Sequence, residues 1–339
     1  MKVISARNVN DALLIGLQSL QEEGVERDSR NGPVRVFPGP VTTHYKHPEE
    51  RVVFYPERDA NPYFHFMESL WMVSGRNDVE WISQFSSNIA NFSDDGVTFH
   101  GAYGYRWRNH FDGSYIQDNF VYSVAIDQLA TIAETLKKNK DDRRVVLQMW
   151  DTTADLGMVG KDFPCNLICT FRVSPYGKLD MTVFNRSNDM IWGAYGANAV
   201  HFSVLQEVMA AWIGVPLGAY WQVSTNFHSY QDTLKKHEGL LKLSPGFDYY
   251  EIGKVQPLPI VNGSIEQWFQ DLEMFMTVGP TIGLKDKFFK KTAVPMLQSW
   301  AAWKDKEDPA YHANALNFAS QIASPDWRVA CTEWLERRA

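Results

Sequence analysis

The chain has 339 residues, 45% of them hydrophobic, enough apolar surface for one large domain or two smaller ones. A net charge of −7 excludes broad nucleic-acid binding through a basic face, so an anionic ligand requires a local cluster of arginines. The three cysteines, Cys165, Cys169 and Cys331, form no CxxC pair and give neither metal spacing nor a disulfide framework, and without a run of about 18 apolar residues no membrane span is predicted.

The start, MKVISARNVNDALLIGLQSL, lacks the apolar block and small-residue cleavage site of a secretory signal, so the chain is expected to stay in the cytoplasm. Residues 10 to 24 predict a helix, with Ala12, Leu13, Ile15, Gly16, Leu17 and Leu20 on an apolar stripe and Asn10 or Asp11 capping its start. GVERDSRNGPVRVFPG then carries Gly, Asp, Asn and Pro at the density of a loop before a strand. NPYFHFMESLWMVSG predicts a buried helix on Phe64, Met67, Leu70, Trp71 and Val73, ended at Gly75. Its Glu68, a carboxylate among apolar neighbours, has to be paired, neutralised or functional. Residues 81 to 99 are polar and turn-rich after a short helix. Residues 122 to 139 predict an amphipathic helix with Val124, Leu129, Ile132, Ala133 and Leu136 on one side and Lys137 and Lys138 toward its end. DDRRVVLQMWD puts Arg143 and Arg144 at the mouth of an apolar strand, where adjacent side chains point to opposite faces.

Residues 162 to 189, DFPCNLICTFRVSPYGKLDMTVFNRSND, predict a hairpin. Leu167, Cys169, Phe171 and Val173 alternate with Ile168, Thr170 and Arg172, the chain turns at Tyr176-Gly177, and Leu179, Met181 and Val183 alternate with Asp180, Thr182 and Phe184. Such a hairpin brings Cys165 at its entrance beside Arg186, Ser187 and Asp189 at its exit, where a nucleophile and an anion-binding group can serve one ligand. A helix follows from Asn198 to Ile213, ended by Gly214. Residues 243 to 261 are turn-rich with a short strand-like end, and Ser264 and Gln267 stand in capping-box spacing before an apolar stripe of Trp268, Leu272 and Phe275. Further helices are expected around 296 to 303, 309 to 322 and 325 to 337.

PCN, an apolar strand and NRSND together resemble the nucleophile strand and phosphate-binding RSGD segment of the thymidylate synthase family, which includes the deoxycytidylate and deoxyuridylate hydroxymethylases. DSRNG at 28 to 32, MESLWMVSG at 67 to 75, GAYGYRWR at 101 to 108, DDRRVVLQMW at 141 to 150 and NFHSY at 226 to 230 match in the family's order. The resemblance implies an α/β (α+β) fold, a mixed sheet flanked by helices and packed back to back in a homodimer. Residues 1–240 would be the catalytic core and 241–339 a helical C-terminal part of the same domain, atypical for the family. It also implies 5,10-methylenetetrahydrofolate as co-substrate, no metal, and a pyrimidine nucleoside monophosphate as the nucleotide.

Roles carry over by position. Cys165 is the nucleophile for ring carbon 6, its thiolate fraction raised by nearby arginines. Glu68 is the general acid/base acting through ordered water next to folate, and Tyr103 is the active-site tyrosine. Asp189 binds the pterin, and Asn198 reads ring nitrogen 3 and the substituent at position 4. Arg186, Ser187 and Arg30 bind phosphate, with Arg27 or Arg35 as replacements for Arg30. Arg143 and Arg144 reach the phosphate in the partner's site, and His228 and Tyr230 hold the sugar hydroxyl. Plainer readings stand beside these: solvated loop arginines, a surface pair held by Asp141 and Asp142, a solvent-facing glutamate, a core tyrosine and satisfied strand polars. Cys169 and Cys331 read as packing residues.

Four departures from the family's pattern bear on function. Asn166 stands where the family has histidine, near the base edge that distinguishes uracil from cytosine, and Asn198 lies one residue further from Asp189 than usual. No tryptophan occurs between Trp81 and Trp107 to shield the exocyclic methylene intermediate, although Phe92 or Phe99 can fill that space. The family's C-terminal tail is not visible in TEWLERRA. A less covered intermediate is open to water, which gives a hydroxymethyl product. The expectation is a folate-dependent pyrimidine-nucleotide hydroxymethylase, with a cytosine nucleotide ahead of deoxyuridylate. The alternatives are a thymidylate synthase and, from another class, a nucleotide-binding regulatory protein without chemistry.

Overall fold

The alternation of residues 166 to 185 does form two antiparallel strands, part of the main sheet of a computed structural model that describes residues 1–117 and 120–339. In chain order the strands are β1 (Lys2–Ala6), β2 (Val25–Arg27), β3 (Val34–Val36), β4 (Val41–Tyr45), β5 (Asp112–Gln117), β6 (Phe120–Ala125), β7 (Val146–Gln148), β8 (Asn166–Val173), β9 (Leu179–Asn185), β10 (Asn188–Asp189), β11 (Leu217–Ser224) and β12 (Phe227–Tyr230). The helices are α1 (Val9–Glu23), α2 (Pro62–Val73), α3 (Val79–Ser83), α4 (Tyr103–Arg108), α5 (Gln128–Lys138), α6 (Thr152–Asp155), α7 (Asn198–Ile213), α8 (Gln231–Lys236), α9 (Ile265–Thr277), α10 (Val294–Lys304), α11 (Tyr311–Ser320) and α12 (Pro325–Glu336).

The main sheet runs β1-β4-β11-β9-β8-β7, with β1 parallel to β4, β11 parallel to β9 and the other pairs antiparallel, so it is mixed as expected. Its strict two-residue period separates two faces. Ile4, Thr43, Gln222, Val183, Cys169 and Leu147 form a fully buried row across all six strands, beside a second buried row of Ala6, Tyr45, Tyr220, Met181 and Phe171. Helices α1 and α7 add Leu13, Leu17, Val204, Leu205 and Val208 to the same core. On the other face, Ser5, His44, Trp221, Thr182, Thr170 and Val146 line up in register, with His44 stacked on Trp221 at 3.8 Å. None of that row is fully buried in a single chain.

Helix α7 has the bounds the sequence predicts, and Gly214 closes it in the left-handed region at φ 78°, where a side chain would be strained. Helix α1 starts earlier than predicted. Asn8 is its cap, accepting from the backbone N–H of Asn10 and Asp11, while the Asn10 side chain is spent on Val52 and Phe54. The predicted helix over 122 to 139 is two elements. FVYSVA, rich in β-branched and aromatic residues, pairs with β5 and leaves Val124 exposed; Asp127 then caps α5, which buries Leu129, Ile132, Ala133 and Leu136 as read.

No strand forms at the end of 243 to 261 among the described residues, since Pro257 and Pro259 have no N–H for a ladder. Only half of the capping box forms. Ser264 Oγ accepts from the Gln267 N–H, while the Gln267 side chain reaches Asp271. The three last helices are present; α10 and α12 pack on α2 and α11 packs on both of them: Tyr63 meets Trp300 and Trp334, Phe66 meets Trp327, and the Tyr63 and Ser299 hydroxyls are 2.7 Å apart. Each buried aromatic there contributes roughly 2–3 kcal/mol. The C-terminal helices therefore brace the helix that carries Glu68.

Candidate active site

Cys165, Arg186, Ser187, Asp189, His228, Tyr230 and Arg30 converge on one cleft of about 690 Å³. The hairpin accounts for the first group, with the Arg186 N–H donating to the Cys165 carbonyl at 2.9 Å across its open end. Parallel pairing of β10 with β12 sets Asp189 opposite His228. Of the three loop arginines considered, Arg30 lines the cleft. Arg35 donates to the Leu20 and Gln21 carbonyls at the end of α1, and Arg27 is exposed on β2. Arg143 and Arg144 are exposed outside this cleft, Arg144 held by Asp142.

Arg186 donates to the Pro164 and Phe163 carbonyls at 3.0 and 3.2 Å, and its guanidinium lies 5.6 Å from the Trp150 ring. Its remaining N–H groups and the Ser187 hydroxyl are available to an anion. The expected gain in thiolate at Cys165 does not hold in this state. Burial pushes the thiol up and outweighs the pull of Arg186, with Asp162 adding to the rise. The rate of Cys165 alkylation by iodoacetamide, without nucleotide, is accordingly expected to keep climbing with pH through and beyond about 8.5, the ordinary thiol value. A plateau below pH 7 would show a preformed thiolate instead.

A smaller cavity of about 230 Å³ adjoins the same segment, lined by Glu68, Tyr103, Asn198 and Asp162, with Phe92 and Phe99 also on its wall. Tyr103 links the two cavities, its hydroxyl oxygen accepting from the backbone N–H of Cys165 at 3.1 Å and of Asn166 at 3.4 Å. Glu68, half-buried on α2, has its Oε2 3.0 Å from His201 Nε2. The pair is out of line for a hydrogen bond, and both atoms are buried without another partner.

The two asparagines expected at the base edge start a buried relay. Asn166 donates to Asn198, Asn198 to Asn188, Asn188 to Gln222 and Ser224, and Gln222 to the Tyr220 hydroxyl. The relay fixes which end of the Asn198 amide faces which neighbour, and it leaves Asn166 Oδ1 buried with no donor. Between Met190 and Ala197 the chain leaves helical geometry at Tyr195 and Gly196, and Asn198 after it lines the cavity.

Asp189 Oδ1 accepts from the Ile191 and Trp192 N–H groups, while its buried Oδ2 has no partner, and burial raises its pKa. Nearby, the Arg58 guanidinium sits 4.4 Å over Trp192, its pKa lowered by burial to about 10. Arg58, Trp192 and His201 were missed in the sequence. His201 had a usable signal, lying three residues after Asn198 and so on the same helix face.

Arg106, in the GAYGYRWR segment, is fully buried and holds this wall together. It forms two hydrogen bonds to Asp155 at 2.7 and 2.8 Å and also donates to the Met149 and His100 carbonyls. Gly104 lets α4 lie against α2, since a Cβ there would be 2.0 Å from the Met72 carbonyl oxygen. Arg106→Met strips the buried Asp155 of both guanidinium bonds, leaving it only His100 Nε2 and the Asp151 N–H, and is expected to cost about 3 kcal/mol in urea unfolding. Asp11, Asp248 and Glu251 bring carboxylate oxygens within 4.8 Å of one another outside both cavities; Asp248 is already held by Asn8 and the Tyr250 N–H.

The thymidylate synthase family model matches residues 14–251. A deoxyuridylate hydroxymethyltransferase of Pseudomonas phage M6 is 50% identical across 100% of this chain and 95% of that protein. One of Bacillus phage SP01 is 41% identical across 57% of this chain and 50% of that protein, and one of Delftia phage PhiW-14 is 31% identical across 68% and 62%. The family match spans every residue placed above in the two cavities, and the chain belongs to the thymidylate synthase family.

Proposed function

We propose that the chain transfers a one-carbon unit from 5,10-methylenetetrahydrofolate to carbon 5 of a pyrimidine nucleoside monophosphate and releases the 5-hydroxymethyl nucleotide. The observation that carries this reading is Cys165 beside Arg186 and Ser187 in one cleft, joined through Tyr103 to a second cavity holding Glu68. Membership of the family makes the chain a one-carbon transferase. The nucleotide we favour is deoxyuridylate, ahead of the cytosine nucleotide suggested by the changes at the base edge, because the phage relatives are named for deoxyuridylate.

In this reading Arg30, Arg186 and Ser187 hold the phosphate, and His228 and Tyr230 the sugar. The Cys165 sulfur bonds carbon 6, which makes carbon 5 nucleophilic. Folate, when bound, supplies a one-carbon unit at the oxidation level of formaldehyde. The partnerless Oδ2 of Asp189, with Trp192 and Arg58 beside it, fits the N–H groups of a pterin. Once carbon 5 carries the exocyclic methylene, water adds to it. Water's oxygen bonds the methylene carbon, one proton goes to the enzyme, and the ring electrons return to expel the sulfur from carbon 6. The sum is nucleotide plus methylenetetrahydrofolate plus water giving hydroxymethyl nucleotide plus tetrahydrofolate, with no net oxidation.

The half-buried sheet face bearing His44, Trp221 and Val146 is the surface for a second copy, and Arg143 and Arg144, exposed and away from their own cleft, are read as reaching the partner's phosphate site. Residues 241–339 are read as part of the same domain, since their helices share the core of α2. Incubation with deoxyuridylate or deoxycytidylate and methylenetetrahydrofolate, followed by mass spectrometry, tests the function. A product heavier than the methyl nucleotide by one oxygen, without dihydrofolate absorbance, is expected; methyl product with dihydrofolate establishes the thymidylate synthase reading instead. No product with either nucleotide favours the regulatory alternative.

A further inference from the structure

We infer that His201 is the positioning residue of Glu68 and takes up, through that carboxylate, the proton released when water adds to the exocyclic methylene. The inference rests on the hydroxymethyl reading above and names the groups that carry its distinguishing step.

The geometry supports this assignment in three ways. His201 is 3% exposed, yet its Nε2 has no hydrogen-bond partner and faces Glu68 Oε2 at 3.0 Å. An imidazole nitrogen and a carboxylate oxygen, both buried and both without a partner, are costly to the fold unless something completes them. Both line the smaller cavity with Phe92 and Phe99, which makes that cavity the place where a water can meet the carboxylate. Asn166 occupies the position after the nucleophile and bears no titratable group, so His201 is the imidazole that lines this cavity.

Other titratable and charged groups face the pair. His65 lies on α2 with Glu68, Arg58 from the preceding loop acts on His65, and Asp162 lines the same cavity. His65 is held neutral by burial, with Arg58 and His201 pushing the same way, so it does not compete for the proton. Glu68 removes a proton from water as the oxygen bonds the methylene carbon. Once the carboxylate turns into line with the imidazole, Nε2, 3.0 Å away, takes the proton and holds it until the sulfur leaves carbon 6. An amide at position 201 can align the carboxylate but cannot hold the proton.

The step is reversible in chemistry that needs no folate. Given 5-hydroxymethyl-deoxyuridylate alone in ¹⁸O-water, the enzyme should add Cys165 to carbon 6, expel water, take it back and release nucleotide with ¹⁸O in the hydroxymethyl group. Debromination of 5-bromo-deoxyuridylate with dithiothreitol, which takes up the bromine, reports sulfur addition without any methylene. The ratio of ¹⁸O exchange to debromination is expected to fall at least ~100-fold in His201→Ala and in the near-isosteric His201→Gln, the size typical of a lost acid/base function. Wild-type ratios in both variants overturn the role of His201 and leave the hydroxymethyl reading standing. Wild-type enzyme that debrominates without exchanging overturns the hydroxymethyl reading, and the inference with it.

Discussion

Cys165→Ser is expected to lower turnover by at least ~10⁴-fold while nucleotide binding stays within a few fold of wild type. A serine hydroxyl is far less acidic than a thiol and cannot add usefully to carbon 6. The rest of the cleft does not depend on the sulfur: Arg186 is placed by the Pro164 and Phe163 carbonyls, and Tyr103 engages the backbone N–H of position 165, which serine retains. Steady-state rates and calorimetric nucleotide titration, with a melting curve to show that the fold is kept, separate the two effects. Cys169 and Cys331 are fully buried and cannot substitute. Retained turnover would remove covalent catalysis from the account.

Glu68→Gln carries the second large effect, a fall in kcat of about 10²–10⁴. Glutamine keeps the shape of the side chain in the cavity and still offers an oxygen toward His201, so packing on α2 is preserved. What it loses is the capacity to take and return a proton. Because Glu68 lies in the smaller cavity and Arg30, Arg186 and Ser187 line the larger one, KM for the nucleotide should change by less than about tenfold. Paired kcat and KM measurements decide it: a rise in KM with kcat unchanged would make Glu68 a binding group.

The hairpin was legible because a two-residue period with Gly177 at its turn has few other solutions, and Cys165 and Arg186 follow from its closed geometry. Asn198 was legible as a helix start, though the departure of Tyr195 and Gly196 from helical geometry just before it is announced by no local pattern. The segment from 120 to 125 misled because its apolar residues fit a helical stripe, and β-propensity and the cap at Asp127 decided otherwise. Glu68 was visible as an anomaly within its helix. Its partner was not, since Glu68 and His201 lie far apart in sequence on two helices that meet only in the folded chain. Electrostatics at Cys165 escaped for a similar reason, because neighbouring arginines are readable and burial is not.

The central claim is a bond between the Cys165 sulfur and carbon 6 of a pyrimidine nucleotide. Intact-protein mass spectrometry after incubation with 5-fluoro-deoxyuridylate and methylenetetrahydrofolate tests it most directly, because fluorine at carbon 5 cannot leave as a proton does and the covalent complex accumulates. The account predicts a mass gain equal to nucleotide plus folate, carried after digestion by the peptide containing Cys165. An unmodified protein, or an adduct on a peptide bearing Cys169 or Cys331 without Cys165, would contradict it.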